Sequence, residues 1–221
     1  MSNNAKITGN LLGLSFLVCS DQFITCSFAQ VLQIPLARPI FIREISNKMY
    51  STSAYYLSMV TATATLFFLY PVVVTLTSFF FFNFEESSFG AMLDWMLVLF
   101  LTALAGGFWG FTFGTFMKNE VTATQLNMLF LMMFSFGAGF YANTGQDQNL
   151  TVQLISYISP MRYSTELLMT RALAGKPGAD FVLDYLGFTW GSGVCLTLLI
   201  LFILVCFTVG WITLLWKTRN Y

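Results

Sequence analysis

Apolar residues in this chain do not alternate with polar ones; they run on. Five stretches are long enough to cross a bilayer: about Leu11–Ile34, Ala54–Phe82, Phe89–Phe116, Val121–Phe140 and Phe188–Trp216. A helix needs about 20 residues to span the hydrocarbon core. Lipid offers the backbone no hydrogen bonds, so a spanning segment of this kind must be helical. Unbroken apolarity, rather than a period of two, argues against a β-barrel. The pattern predicts an all-α integral membrane protein, one transmembrane domain over residues 1–221 with five transmembrane helices. Two polar interruptions stand out. The first is an elbow at residues 35–53, proline-broken at Pro35 and Pro39. The second is a loop at residues 142–187, where Val152, Ile155, Ile158 and then Leu167, Leu168, Met169 and Leu173 form apolar faces at helical spacing around Pro160. Those faces predict short re-entrant helices dipping back toward the membrane. Gly175, Pro177 and Gly178 then end the pattern before the last crossing.

Composition narrows the class. Charged residues make up 9% of the chain, against about 25% in a soluble domain. Twenty-five Phe and five Trp in 221 residues exceed what one water-soluble core of this size can hide. The net charge of zero says nothing about nucleic acid, but no basic block is long enough to suggest it, so no nucleic-acid partner is expected and membrane lipid is the expected surroundings. Cys19, Cys26, Cys195 and Cys206 all lie in apolar runs, as small buried hydrophobes do. With no histidine and no nucleophile–base pair, the sequence offers neither a metal site nor a catalytic centre.

Basic residues set the expected orientation. The elbow gathers Arg38, Arg43 and Lys48, three of ten Lys and Arg; Lys118 follows the third segment, and Lys217 and Arg219 the fifth. The opposite ends carry Lys6 and the acidic pair Glu85 and Glu86. This alternation places the elbow and the C-terminus in the cytoplasm, and the N-terminus and loop 142–187 outside or in a lumen. Asn149-Leu150-Thr151 in that loop is a glycosylation sequon.

Within the segments, Gly106, Gly110 and Gly114 form a doubled G-x-x-x-G stripe for close helix packing, either inside the chain or along a dimer seam. Pro71 interrupts the second segment, as a passive kink or a hinge. Asp21 and Asp94 require a neighbouring helix or a polar path. Met128, Met132 and Phe136 suit either a ligand cavity or lipid. No G-x-x-x-x-G-K-[ST] phosphate loop occurs, so the chain is read as neither an enzyme nor an ATP binder by that route.

Three strings in order resemble one family. Phe41-Ile42-Arg43-Glu44 with Met49-Tyr50-Ser51-Thr52-Ser53-Ala54-Tyr55-Tyr56-Leu57 is similar to an R-E…Y-x-x-x-x-Y-F-L string. Ala138-Gly139-Phe140-Tyr141-Ala142-Asn143 is similar to a small-Gly-apolar-apolar-x-Asn string, and Ser159-Pro160-Met161-Arg162-Tyr163 with Glu166 to S-x-x-R-Y…E. Together they resemble the type-2 membrane domain of ABC transporters of the G subfamily, the white/scarlet and multidrug half-transporters. The resemblance implies that Arg43, Glu44, Tyr50 and Tyr55 couple to a nucleotide-binding domain. It implies a substrate cavity at Ser20, Phe23, Met128, Met132 and Phe136, beneath a valve of Phe140 and Tyr141. By it the first segment corresponds to the family's second helix. The nucleotide-binding domain, with its ATP and Mg, belongs to a partner or is missing from this chain, which binds no cofactor itself. A homo- or heterodimer with another G-subfamily half-transporter is implied. The expected function is the membrane part of an ATP-driven exporter of lipid-like or amphipathic molecules, or else a truncated, non-transporting paralogue that modulates full-length relatives.

Overall fold

A computed structural model of the chain describes residues 2–82, 89–117, 119–140, 150–174 and 179–219. Eight helices occur in those residues: α1 (Ser2–Ser46), α2 (Thr52–Phe82), α3 (Phe89–Phe116), α4 (Glu120–Gly137), α5 (Leu150–Ile158), α6 (Pro160–Ala172), α7 (Ala179–Leu186) and α8 (Gly191–Arg219). There is no strand among the described residues. Four helices, α1, α2, α3 and α8, are long and apolar enough to cross a membrane. The expected fourth segment forms α4, whose 18 residues fall just short of the usual span.

The inner pair is α1 and α3. Their apolar stretches are 61% and 56% buried, against 11% for α2 and 22% for α8. Glycine explains the difference. A Cβ on Gly106 would lie 2.3 Å from the Phe23 carbonyl oxygen, and one on Gly110 would lie 2.2 Å from that of Ser27. Gly114 continues the row against Ile34 and Val31. The stripe therefore sets two backbones in direct contact inside the chain, the closest approach two helices can make.

The elbow differs from its expectation. Pro35 and Pro39 both lie inside α1, and the helix breaks only at Asn47–Ser51, where Lys48 takes φ 55°. Each proline removes a backbone donor. Packing on both sides overrides that loss: Ile34 and Phe41 are buried with Tyr56, Phe111 and Leu214. Surrounding helices stabilise prolines in membrane helices in this way. Helix α2 likewise runs through Pro71.

At the other end, α6 is buried along Pro160–Met169 despite its polar sequence. The Ser159–Glu166 string accounts for it. Arg162 donates to the Ser156 hydroxyl and, at 2.8 Å, to the Gly187 carbonyl. Its Nε lies 3.8 Å from Glu166 Oε2, and its guanidinium lies over Tyr157. Glu166 Oε1 accepts the Trp190 backbone N–H at 2.8 Å. One ion pair thus ties α5, α6 and the start of α8 together. Arg171 adds a 2.6 Å pair to Asp94 on α3, and Asp21 accepts the Tyr70 hydroxyl of α2 at 2.6 Å. Both aspartates satisfy themselves on a neighbouring helix.

Two stability outcomes follow. Replacing Gly110 by Ala should cost about 1–3 kcal/mol, because overpacking outweighs the roughly 0.5–1 kcal/mol that alanine gains in a helix. Gly193→Ala, with nothing within 4 Å of the new Cβ, should be neutral or stabilising; melting of the detergent-solubilised chain compares the two. Arg162→Ala should cost about 3–5 kcal/mol, since it strands a buried carboxylate. The double variant Arg162→Met with Glu166→Met should lose less than its two single variants summed; full additivity in the same assay would deny the pairing.

Candidate functional site

The elbow turn is built by aromatic stacking. Tyr55 lies 4.2 Å from Phe41 and stacks on Tyr50 at 5.8 Å, ring centre to ring centre. Tyr50 donates its hydroxyl to Glu44, closing α1 onto the start of α2. Burial pushes the Tyr50 phenol up to about 12, and the hydrogen bond to Glu44 adds to the shift. Tyr50 therefore stays a neutral donor through the physiological range. Arg43 and Lys48 are exposed beside this clasp. Of the four expected coupling residues, Glu44, Tyr50 and Tyr55 form one packed unit and Arg43 stands at its surface.

Arg38 does more than its place in the elbow suggested. Its guanidinium donates to the carbonyls of Gly114, Thr115 and Met117 at the end of α3. Lys217 of α8 donates to Thr115 O at 2.9 Å. The last carbonyls of a helix have no intrahelical donor and carry partial negative charge, so two cations there serve as a cap. Tyr56 donates to Phe207 O at 2.7 Å and Trp211 to Ser53 Oγ at 3.3 Å, fastening α2 to α8. The elbow is thereby bound to every long helix of the bundle.

The expected cavity residues separate into two groups. Met128, Met132 and Phe136 recur every four residues on α4 and share one exposed stripe. Phe140 is 43% exposed at the end of that stripe and stacks on Phe16 of α1, centroids 4.7 Å apart and planes 6° from parallel. Gly139, at φ +88°, follows the Ala138 cap of α4 and makes the turn that leads to Phe140. Phe23 belongs elsewhere. It is fully buried, edge-on to Phe134 at 6.1 Å and 6.4 Å from Phe202. Within this chain its side chain packs into the core, and Gly106 lets α3 lie directly on its backbone. Ser20 is buried on the same helix. Tyr141 and Asn149 lie outside the described residues.

A buried polar knot went unread in the sequence. The Ser27 hydroxyl and the Trp109 indole N–H both donate to Asn127 Oδ1, at 3.2 and 3.0 Å, joining α1, α3 and α4 at one level. Asn127 is fully buried. One asparagine in an apolar helix was the available signal, since its side chain must find partners in lipid. The Phe16–Phe140 stack had no comparable signal; it joins residues 124 positions apart through the fold alone.

Comparison with known proteins gives a consistent answer. The model of the ABC-2 type transporter family matches residues 1–171. The brown protein of Drosophila melanogaster is 26% identical over 157 residues, 71% of this chain and 22% of its own length. ABC transporter G family member 22 of Arabidopsis thaliana is 26% identical over 157 residues, 71% of this chain and 20% of its own. The white protein of Ceratitis capitata is 24% identical over 170 residues, 76% of this chain and 25% of its own. The chain thus spans about a quarter or less of the relatives it matches. Family match, relatives and helical architecture agree: the chain belongs to the ABC-2 type transporter family, as a membrane domain of the G subfamily.

Proposed function

We propose that this chain is the membrane part of an ATP-driven exporter of lipid-like or amphipathic molecules. The observation that carries the reading is the continuity of α1. The elbow clasp lies at one end of that helix, and Phe16, stacked on Phe140, lies about 45 Å away at a rise of 1.5 Å per residue. A push on the turn at Asn47–Ser51 is delivered along one strut to the aromatic at the opposite end. Energy comes from ATP and Mg on a nucleotide-binding domain, either a separate subunit or part of a longer polypeptide. Closure of two such domains presses on two elbows and tilts α1 against α4, which is alternating access between discrete states.

The exposed stripe of Met128, Met132 and Phe136 suits the inner wall of a cavity shared with a second half-transporter, the same or different. Polarizable methionines adapt to varied apolar molecules. Phe140, with Tyr141, closes the exit. In this arrangement the elbow and C-terminus face the cytoplasm, and the α5–α7 region faces outside or a lumen.

ATP-dependent uptake into vesicles, with a full-length relative co-expressed, tests the reading. The exchange Arg43→Glu with Glu44→Arg should lower uptake by about tenfold or more, within the range of typical coupling energies, while co-purification is unchanged. Undiminished uptake would contradict coupling through the elbow. A dose-dependent loss of the relative's activity, with none gained, would instead identify a modulating subunit.

A further inference from the structure

Asp21 stands where a membrane helix rarely keeps a charge. Phe23 and Ser27 of α1 lie against Gly106 and Gly110 of α3, so the two helices run side by side in one direction. That register sets Asp21 level with Leu104, beside the midpoint of Phe89–Phe116. Arg162 and Glu166 reach a similar depth, flanking the Ser164 that meets Thr102, but both are buried and face each other. Asp21 is exposed on the outside of the bundle. Tyr70 donates to its Oδ2 at 2.6 Å, with Thr25 close by. A carboxylate accepts about four hydrogen bonds. One neutral hydroxyl meets a fraction of that demand and none of the charge, and an ionisable group at mid-depth requires a partner.

The surface around Asp21 has the length of a bilayer. Leu17, Asp21, Thr25, Ala29, Leu32 and Leu36 recur every three or four residues and are all exposed, forming one stripe on α1. At 1.5 Å per residue the stripe is about 28 Å long, close to the roughly 30 Å of the hydrocarbon core. A spanning helix fits such a face from end to end. Its side chain would be held at mid-depth by its own apolar flanks, whereas a lipid amine rests at headgroup depth, about half the core away. A second copy of this chain lacks the charge at that level. Helices α2, α3 and α4 contain no Lys or Arg, and Arg38 of α1 and Lys217 of α8 both meet the last turn of α3, at one end of the bundle.

We infer that this stripe is the docking face for a membrane-spanning helix from outside residues 1–221, carrying a lysine or arginine at mid-depth that pairs with Asp21. Leu17, Leu32 and Leu36 supply apolar packing above and below the pair, and Ala29 lets the incoming backbone approach closely. The Tyr70 hydroxyl holds the carboxylate in place for it. One ion pair in an otherwise apolar contact fixes the depth and rotation of the incoming helix, the register-setting use of buried charge. The inference requires only that the helices span a membrane, so it stands independently of the transport reading.

The test is disulfide trapping in liposomes between the full chain bearing Leu17→Cys and synthetic spanning peptides of leucine and alanine. Each peptide carries a cysteine one turn to either side of a central Lys, Gln or Leu. The native cysteines of the chain are buried, so the new thiol reports the stripe. The Lys peptide should be trapped about fivefold or more over the Leu peptide, the worth of an interhelical polar contact in a bilayer. It should also exceed the Gln peptide, which offers hydrogen bonds without charge. Adding Asp21→Asn, which keeps an acceptor for Tyr70, should bring the Lys peptide down to the level of the Gln peptide. Leu201→Cys, exposed on α8, should trap all three peptides equally. Equal trapping of the three peptides at Leu17→Cys overturns the inference, as does undiminished trapping of the Lys peptide in Asp21→Asn. So does a homodimer linked through Leu17→Cys at the yield of the Lys peptide, which would give the face to a second copy. Displacement of the Lys peptide by a long-chain amine would give it to a lipid-like cation and overturn the inference as well.

Discussion

The bundle depends on one contact: the backbone of α1 lying directly on that of α3. Side chains normally keep helix axes 8–10 Å apart. Gly106 and Gly110 remove that layer at two successive turns, and the carbonyls of Phe23 and Ser27 occupy the space. In lipid no hydrophobic effect drives helices together, so close dispersion contact and interhelical hydrogen bonds must do so. The Ser27–Asn127–Trp109 knot supplies the hydrogen bonds beside the glycine row. Helices α2 and α8, hydrogen-bonded to their neighbours through Tyr56, Thr112 and Lys217 but without the backbone-on-backbone glycine row, keep most of their surface outward.

This contact also explains the behaviour of the elbow. With α1 held along α3 as far as Gly114 and Ile34, the two prolines are passed as parts of a supported helix. Arg38 then arrives beside the last carbonyls of α3, which need donors. At the far end the same support sets Phe16 against Phe140. Rigidity in the middle makes the two ends mechanically continuous. The buried Arg162–Glu166 pair plays a different part, fixing the short helices α5 and α6 beside the N-terminal half of the strut.

Much of this was legible in the chain. Apolar runs marked α2, α3 and α8 to within a few residues, and the glycine spacing announced close packing, though not whether inside the chain or between copies. The buried apolar faces of α6 were read from periodicity across a stretch of average polarity. The elbow was misread because local proline rules predict a break, and tertiary packing of Ile34 and Phe41 outweighs them. The burial of Phe23 has a similar origin. Its position in a motif says which helix carries it, but its direction is set by where Gly106 lets α3 approach. Contacts such as Phe16 with Phe140 belong to the assembled fold, and local sequence carries no trace of them.

The central claim is that α1 is a single strut through Pro35 and Pro39. Leu17 and Ile40 are both exposed, so cysteine substitutions there accept spin labels without disturbing the core, and the four native cysteines are buried. Pulsed electron paramagnetic resonance on the doubly labelled chain in nanodiscs measures the separation directly. The account predicts one narrow distribution near 35 Å, from 23 residues at about 1.5 Å each. A broad distribution, or one centred well below that length, would mean that the helix breaks at its prolines and that no rigid connection joins the elbow to Phe140.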